Sequence, residues 1–328
     1  MEVMDVVGFG SLCIDFVFKV DKYPKKGSSN LSSVSLIDCG GTVGNFLVGC
    51  SRLGLKCGVI GVVGGDRYGR MIVERLTSSG IDTSMLIIDE RGPTARVVCI
   101  VDGGGERTFI VDPGVQARVE LREGAREYVA KCKAFHTDCL DVNHASFLLR
   151  EAKRHGVMTS ADLGFLAEHV LQGVGESWVN DVVKWCDVVF VSEANAKRLF
   201  PGLSPLSVLD RVLKRGADLA VVTLGRRGCV VADGSKVVRV KAFEVEAVDT
   251  TGAGDAFEAG FVFSLLKGLE AREAALLGCA VAAIKCTKLG AQAGLPTLDE
   301  VRAFLRERGY GYLASSLSNP LSFSSKIL

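Results

Sequence analysis

Between Val248 and Phe257 the chain reads Val-Asp-Thr-Thr-Gly-Ala-Gly-Asp-Ala-Phe, which sets residues that could hold an anion beside one that could take a proton. Gly252 and Gly254 flank Ala253, so the backbone can turn tightly and admit a close neighbour. An apolar helix is expected to begin near Asp255. Its first amides have no partner within the helix, and its positive dipole end faces outward. Gly252, Ala253 and Gly254 would thus present N–H groups to an anion. A carboxylate at such a mouth would repel phosphate. It becomes sensible if it takes the proton of an attacking hydroxyl while the amides hold the charge on the transferred group. A plainer reading makes Asp255 a helix cap after a glycine turn, but a cap has no need of Asp249-Thr250-Thr251 before it.

The elements that must position this segment follow from periodicity. Residues 3–10 read as a buried strand entering a glycine turn. Ile14–Val20 and Leu31–Cys39 alternate as half-exposed strands do, and Thr94–Asp102 and Arg107–Val111 flank Gly103-Gly104-Gly105 as a hairpin. Val43–Leu53 and Tyr68–Ser79 have helical spacing around the strand Leu55–Gly64. From about residue 117, helices expected near 119–131, 144–154, 176–184, 193–199 and 205–215 alternate with short apolar strands. The strands are Ala134–Thr137, Gly156–Ala161, Val188–Val191, Leu219–Thr223 and Val230–Ala232. This rhythm predicts an α/β fold, a doubly wound, mostly parallel sheet with helices on both faces. The early alternating strands, from about 12–40 and 94–112, are expected to form a small β-sheet lid over it. Three helices, Ala256–Lys267, Ala271–Cys286 and Leu298–Arg308, close a domain spanning 1–309. The Ser-rich tail, 310–328, lacks periodicity and is expected to be partly mobile.

Composition narrows the partners. The 328 residues are 48% hydrophobic and 23% charged, with 39 basic and 38 acidic side chains and a net charge of +1. No basic excess draws the chain to nucleic acid or a membrane surface, so phosphate binding must be local. The apolar runs are too short to span a bilayer. The N-terminus reads as a first strand and not a leader, so a cytoplasmic location is expected. Eleven cysteines show no Cys-x-x-Cys pair and sit mostly in apolar segments, as buried small hydrophobes do. The histidines at 136, 144, 155 and 169 have no acidic or cysteine partner at useful spacing, and give no support to a histidine-dependent mechanism.

Asp249-Thr-Thr-Gly-Ala-Gly-Asp-Ala-Phe257 resembles the C-terminal signature of the ribokinase-like (PfkB) family of carbohydrate and nucleoside kinases. The likeness runs from Val6 to about Phe304. It implies that Asp255 is the catalytic base and that Gly252, Ala253 and Gly254 form the anion hole. Cys39-Gly-Gly-Thr-Val-Gly-Asn45 and the residues to Gly54 resemble a second signature, and Gly8-Phe-Gly-Ser-Leu-Cys-Ile-Asp15 resembles the first strand-turn. Gly40 and Gly41 would let the chain pass close to a polyol. The Asn45 amide can donate to and accept from hydroxyls, and Asp15 would accept from two of them. Asp138 and Asp162 follow strands, where ligand contacts are common, though each could cap the next segment. Thr223-Leu-Gly-Arg-Arg-Gly228 resembles the nucleotide segment, with Thr223, Gly225 and Gly228 opening space for ribose and phosphate; alone it also reads as a hairpin turn. Ala282–Gln292 resembles the stretch that closes the adenine pocket, with Cys279 just before it. In potassium-activated members this stretch helps bind a monovalent cation, which implies Asp249 and Thr251 as ligands with the carbonyls of Lys285, Lys288 and Gly290.

One departure concerns magnesium. Where the family shows Asn-x-x-Glu, this chain has Ser192-Glu-Ala-Asn195, so an amide replaces the glutamate and Glu193 is one place off. Ser192 and Asn195 are still expected beside the nucleotide, and magnesium is expected with it. Arg96 could face the acceptor or lie on the lid's outer face; Arg107 reads as structural.

The resulting expectation is an ATP- and magnesium-dependent kinase that phosphorylates a hydroxyl of a sugar or related polyol, with potassium as a possible further cofactor. A nucleoside acceptor keeps the mechanism and needs an aromatic shelf, for which Phe16 and Phe18 are candidates. A catalytically silent binding member is the reading from another class, against which the intact Gly252-Ala-Gly-Asp255 argues. The lid's apolar face predicts a homodimer.

Overall fold

A computed structural model describes residues 3–104, 107–164 and 177–321. The chain opens with β1 (Val6–Phe9), buried throughout, then β2 (Cys13–Lys19) and β3 (Val34–Gly40). Helix α1 (Thr42–Arg52) starts two residues after β3 ends, followed by β4 (Cys57–Gly64), α2 (Arg67–Ser78) and β5 (Asp82–Asp89). β6 (Arg96–Val101) and β7 (Arg107–Asp112) pair antiparallel. Helices and strands then alternate through α3 (Ala125–Val129), β8 (Ala134–Thr137), α4 (Val142–Arg154), β9 (Met158–Asp162) and α5 (Ser177–Val183). β10 (Val188–Ser192), α6 (Glu193–Leu199), α7 (Pro205–Leu213) and β11 (Leu219–Thr223) continue the pattern. Beyond them lie β12 (Cys229–Ala232), β13 (Val237–Val240), α8 (Ala253–Leu266), α9 (Ala271–Cys286), α10 (Leu298–Glu307) and α11 (Gly311–Ser316).

Nine strands form one sheet in the order β13-β12-β11-β10-β9-β8-β1-β4-β5. The run from β11 to β5 is parallel, and β12 and β13 add an antiparallel edge. Parallel strands covered on both faces need apolar side chains on both, and β4, Cys-Gly-Val-Ile-Gly-Val-Val-Gly, is buried at every position. One core, on the α1, α8 and α9 face, holds Phe46, Phe257, Phe261 and Leu277; the other holds Leu148, Val182 and Leu209 under α4, α5 and α7. Helix α8 runs through the first core and is buried from Ala256 to Leu266. Ten of the eleven cysteines are buried and Cys286 is half-buried. Among the described residues, no helix is long and apolar enough to cross a membrane.

The second sheet, in the order β3-β2-β6-β7, is the expected lid. Register places Phe16 opposite Ile37 and Val98, with Val98 opposite Ile110, so these share one face with Phe18 and Ile100. On that face Phe18, Ile37 and Ile110 are 37%, 48% and 63% exposed. The opposite face carries Asp15 and Asp38, paired in register, together with Cys99, Phe109 and Arg107.

Two strands were not anticipated. β5 carries polar residues at both ends, and β13 is a four-residue edge strand; neither shows a sustained alternation. The helix expected over 119–131 is shorter, because Gly124 at φ 88° sets its start at Ala125. In the tail, α11 buries Leu313, with Leu317 just beyond it, in the first core; residues 322–328 lie outside the described part.

Candidate active site

In a parallel sheet the loops after the strands collect at one edge, and a ligand crevice opens where the winding direction reverses. Here β1 lies between β8 and β4. Asp138, Asp162, Ser192 and Thr223 all stand at the carboxyl ends of β8, β9, β10 and β11. The N-terminus of α8 points to the same edge.

Gly252 caps α8 at φ 76°, a left-handed conformation that suits glycine, and no side chain caps the helix. Asp255 lies in the first turn, and instead of bonding the helix its carboxylate accepts from Asn45 Nδ2 at 2.7 Å. The capping reading of Asp255 is therefore set aside. Of the three amides expected at the anion hole, the Ala253 N–H turns back to the Thr250 carbonyl at 3.2 Å. Gly254 is exposed, with nothing within 4 Å of where a Cβ would stand. Burial pushes the Asp255 carboxyl up to about 7, against the Asn45 amide that favours its charged form, while the Asp138 and Asp15 carboxylates add to the rise. A group so placed can exchange a proton near neutrality.

Asp15 lies on the lid face that looks toward the crevice. Burial raises it to about 6, opposed by the Cys13 S–H that donates to it at 3.3 Å, while Asp38 and Asp249 push it further up. Gly40 and Gly41 are needed where they stand. A Cβ on Gly40 would come within 2.1 Å of Asp15 Oδ2, and Gly41 sits at φ 92° with the Ser11 carbonyl 2.4 Å from its Cβ direction. Asp138, expected at the acceptor, is completely buried. It accepts from the Ser11 N–H at 2.9 Å, from the Ser11 hydroxyl and from the Leu140 N–H at 3.1 Å. It braces the glycine turn after β1 from behind.

The segment before α8 is tied down by Asp249, which accepts from the Thr251 N–H at 2.9 Å and the Gly290 N–H at 2.9 Å. Lys285 meets it with its ammonium: Nζ donates to the Asp249 carbonyl at 2.8 Å and lies 4.0 Å from Asp249 Oδ2. The Lys288 side chain turns away to Glu300 at 3.3 Å. From the lid, Arg107 Nη1 reaches Thr251 Oγ1 at 3.3 Å, so the residue read as structural links lid and loop.

A cavity of about 460 Å³ lies on the other side of the α8 N-terminus. Thr223, Gly225, Gly228 and Cys279 line it together with Ala253 and Gly254, so four expected nucleotide residues share one space with two residues expected at the anion hole. The hexapeptide from Thr223 forms the hairpin between β11 and β12, and its glycines border the cavity. Ser192 pairs in register with Thr223, and its hydroxyl accepts from the Asn195 N–H at 3.1 Å. Glu193 is engaged by Arg227 at 2.6 Å. The Asp162 carboxylate and the Asn195 amide both border Gly164, within 2.6 and 2.8 Å of where its Cβ would stand. Among the described residues no cluster of three or more His, Cys, Asp or Glu side chains could hold a metal ion.

Several participants were not singled out from sequence. Asp38, anchored by Arg75 at 3.2 Å, stands beside Asp15. His136 has an acidic neighbour after all: Nε2 lies 3.5 Å from Glu258 Oε2, and its ring stacks on Phe46 with centroids 3.9 Å apart. Burial lowers His136 to about 3 and raises Glu258, disfavouring charge on both. Arg96, left open above, bonds Asp112 at 2.5 Å. A lone lysine within Ala282-Ala-Ile-Lys-Cys was the visible signal for Lys285, since lysine is almost never fully buried without a partner.

The family model for pfkB family carbohydrate kinases matches residues 4–298. An uncharacterized sugar kinase of Archaeoglobus fulgidus is 31% identical over 252 residues, covering 76% of this chain and 98% of its own. A nucleoside kinase of Methanothermobacter thermautotrophicus is 28% identical, covering 94% and 98%. Among solved structures, a ribokinase of Thermotoga maritima superposes with a TM-score of 0.78 at 27% identity, covering 92% of this chain and 99% of its own.

Proposed function

The chain belongs to the pfkB family of carbohydrate kinases, and from that premise we propose that it transfers the γ-phosphate of ATP to a sugar hydroxyl, with Asp255 as general base. One observation carries this reading. A carboxylate whose proton affinity lies near neutrality is held by Asn45 at the open mouth of α8, between the lid and the nucleotide-sized cavity.

The acceptor would sit against Asp15 and Asn45 under the lid, with Gly40 and Gly41 keeping the backbone clear and Asp138 holding the turn behind. Asp255 would take the hydroxyl proton as the oxygen attacks in line. The amides of Gly252, Ala253 and Gly254 would face the charge gathering on the transferred group; the Ala253 N–H would first have to leave the Thr250 carbonyl. Lid closure, with Arg107 on Thr251, would exclude water and so suppress hydrolysis. Nucleotide would enter the cavity bordered by Thr223, Gly225, Gly228 and Cys279, near Ser192 and Asn195. Magnesium, when bound with the nucleotide, would neutralise phosphate charge. The Asp162 carboxyl and Asn195 amide would hold its water shell. Burial and the Asp255 and Asp138 carboxylates hold Asp162 well above the usual carboxylate range, so it would add charge only with its proton drawn off by the metal.

A nucleoside acceptor is the second reading. Phe16 and Phe18 do not support it, because both lie on the lid face opposite Asp15, and Phe16 packs edge-on against Tyr68 at 5.5 Å. Phe109 does: it is half exposed on the Asp15 face and could shelve a base.

A panel of sugars and nucleosides with ATP and magnesium, read by ADP release, tests the acceptor class. On any acceptor turned over, Asp255→Asn is expected to lower turnover by about 10²–10⁴ while nucleotide binding persists. A variant keeping more than about a tenth of normal turnover would remove Asp255 from the role.

A further inference from the structure

Lys285 lies in the last turn of α9, its side chain completely buried. An ammonium is moved that far from water only against a large desolvation cost, so its partners must matter. They belong to one residue, Asp249, through its main-chain carbonyl at 2.8 Å and its carboxylate at 4.0 Å. Asp249 opens the loop that runs through Thr250 and Thr251 into the anion hole. A positive charge there cancels a carboxylate that would otherwise oppose an incoming phosphate. By fixing the Asp249 carbonyl it also fixes the plane of the next peptide.

This is the position at which the family resemblance placed a monovalent cation. Two of the donors such an ion would need are already engaged. Both Asp249 carboxylate oxygens accept backbone N–H groups, and the Lys285 carbonyl accepts from the Lys288 N–H at 3.2 Å. An ion added beside an ammonium would meet like charge. We propose that the Lys285 ammonium is a tethered substitute for the monovalent cation, so that the anion-hole loop of this protein is set without potassium.

The proposal deepens the kinase reading and rests on it for its catalytic meaning, but its test does not need turnover. Thermal midpoints of the whole protein are measured by calorimetry in potassium, sodium and tetramethylammonium chlorides at matched ionic strength. The wild-type midpoint is expected to be the same in all three. Lys285→Met, which keeps an apolar stem and removes the charge, is expected to gain a potassium-specific rise. On an acceptor found by the panel, wild-type turnover is expected to ignore potassium. Lys285→Met should lose about 10–10³-fold in tetramethylammonium and recover part of it in potassium.

A wild-type protein stabilised or activated by potassium over the other two salts overturns the idea. So does a folded Lys285→Met that responds to none of them, because Lys285 is then only a structural partner of Asp249. If that variant fails to fold, the wild-type salt series decides alone. If no acceptor is turned over, the kinase reading fails while calorimetry still decides this one.

Discussion

Removing the Asn45 amide should change when Asp255 can act, and the size of the change follows from the geometry. Asn45 is buried in the first turns of α1, and its Nδ2 lies 2.7 Å from Asp255 Oδ2. A donor at that distance favours the ionised carboxylate, and with burial opposing it the group settles at about 7. A hydrogen bond to a charged group contributes roughly 1.5–3 kcal/mol, and one pH unit corresponds to about 1.4 kcal/mol. Asn45→Ala should therefore raise Asp255 by about 1–2 pH units. Because the base must be ionised, the rate rises with pH through this value, and a higher value moves the acid limb toward alkaline pH. Near pH 7 the ionised fraction would fall from about half to roughly a tenth or a hundredth, and the loss would be recovered well above the new value. The assay is kcat against pH at saturating acceptor and magnesium–ATP, by coupled ADP release. A folded variant whose acid limb stays within about 0.3 pH unit of the wild type refutes the reasoning. A uniform loss at every pH would do so as well, and would assign Asn45 to the acceptor alone.

Two other outcomes follow from the lid. Gly40→Ala would put a Cβ 2.1 Å from Asp15 Oδ2 at a position with no left-handed backbone demand. It is expected to displace that carboxylate and raise the acceptor KM about tenfold or more with a smaller effect on kcat, as loss of a charged hydrogen bond would; an unchanged KM would take Asp15 out of acceptor binding. The exposed face bearing Phe18, Ile37 and Ile110 is expected to be covered by a second copy of the chain. Light scattering should then give a dimer for the wild type and a monomer for Ile110→Asp, whereas a wild-type monomer at micromolar concentration would dismiss the dimer.

The family, the sheet and the lid were legible because each rests on local pattern. Parallel strands buried on both faces leave short apolar runs, lid strands alternate, and the family signature from Val248 to Phe257 lies in ten contiguous residues. What escaped was long-range. Nothing in sequence announces that Asn45 meets Asp255 across 210 positions, or that His136 faces Glu258. For Lys285 only the carbonyl was considered, because the resemblance drew attention to backbone ligands and away from its charged side chain. Asp138 looked like a contact since strand ends gather ligands; three donors had already claimed it. Short edge strands such as β13 carry too few side chains to show a period, and α11 is anchored by only a few apolar residues in a Ser-rich stretch.

The brevity of the join between β3 and α1 has a mechanical meaning. With Gly41 as the sole residue between them, the lid strand and the helix carrying Asn45 are joined without slack, and under the proposed function they would move as one lever. An ill-fitting guest that props the strand open would tilt Asn45 away from Asp255 and leave the base holding its proton. Discrimination among acceptors and readiness for chemistry would then be set by the same movement.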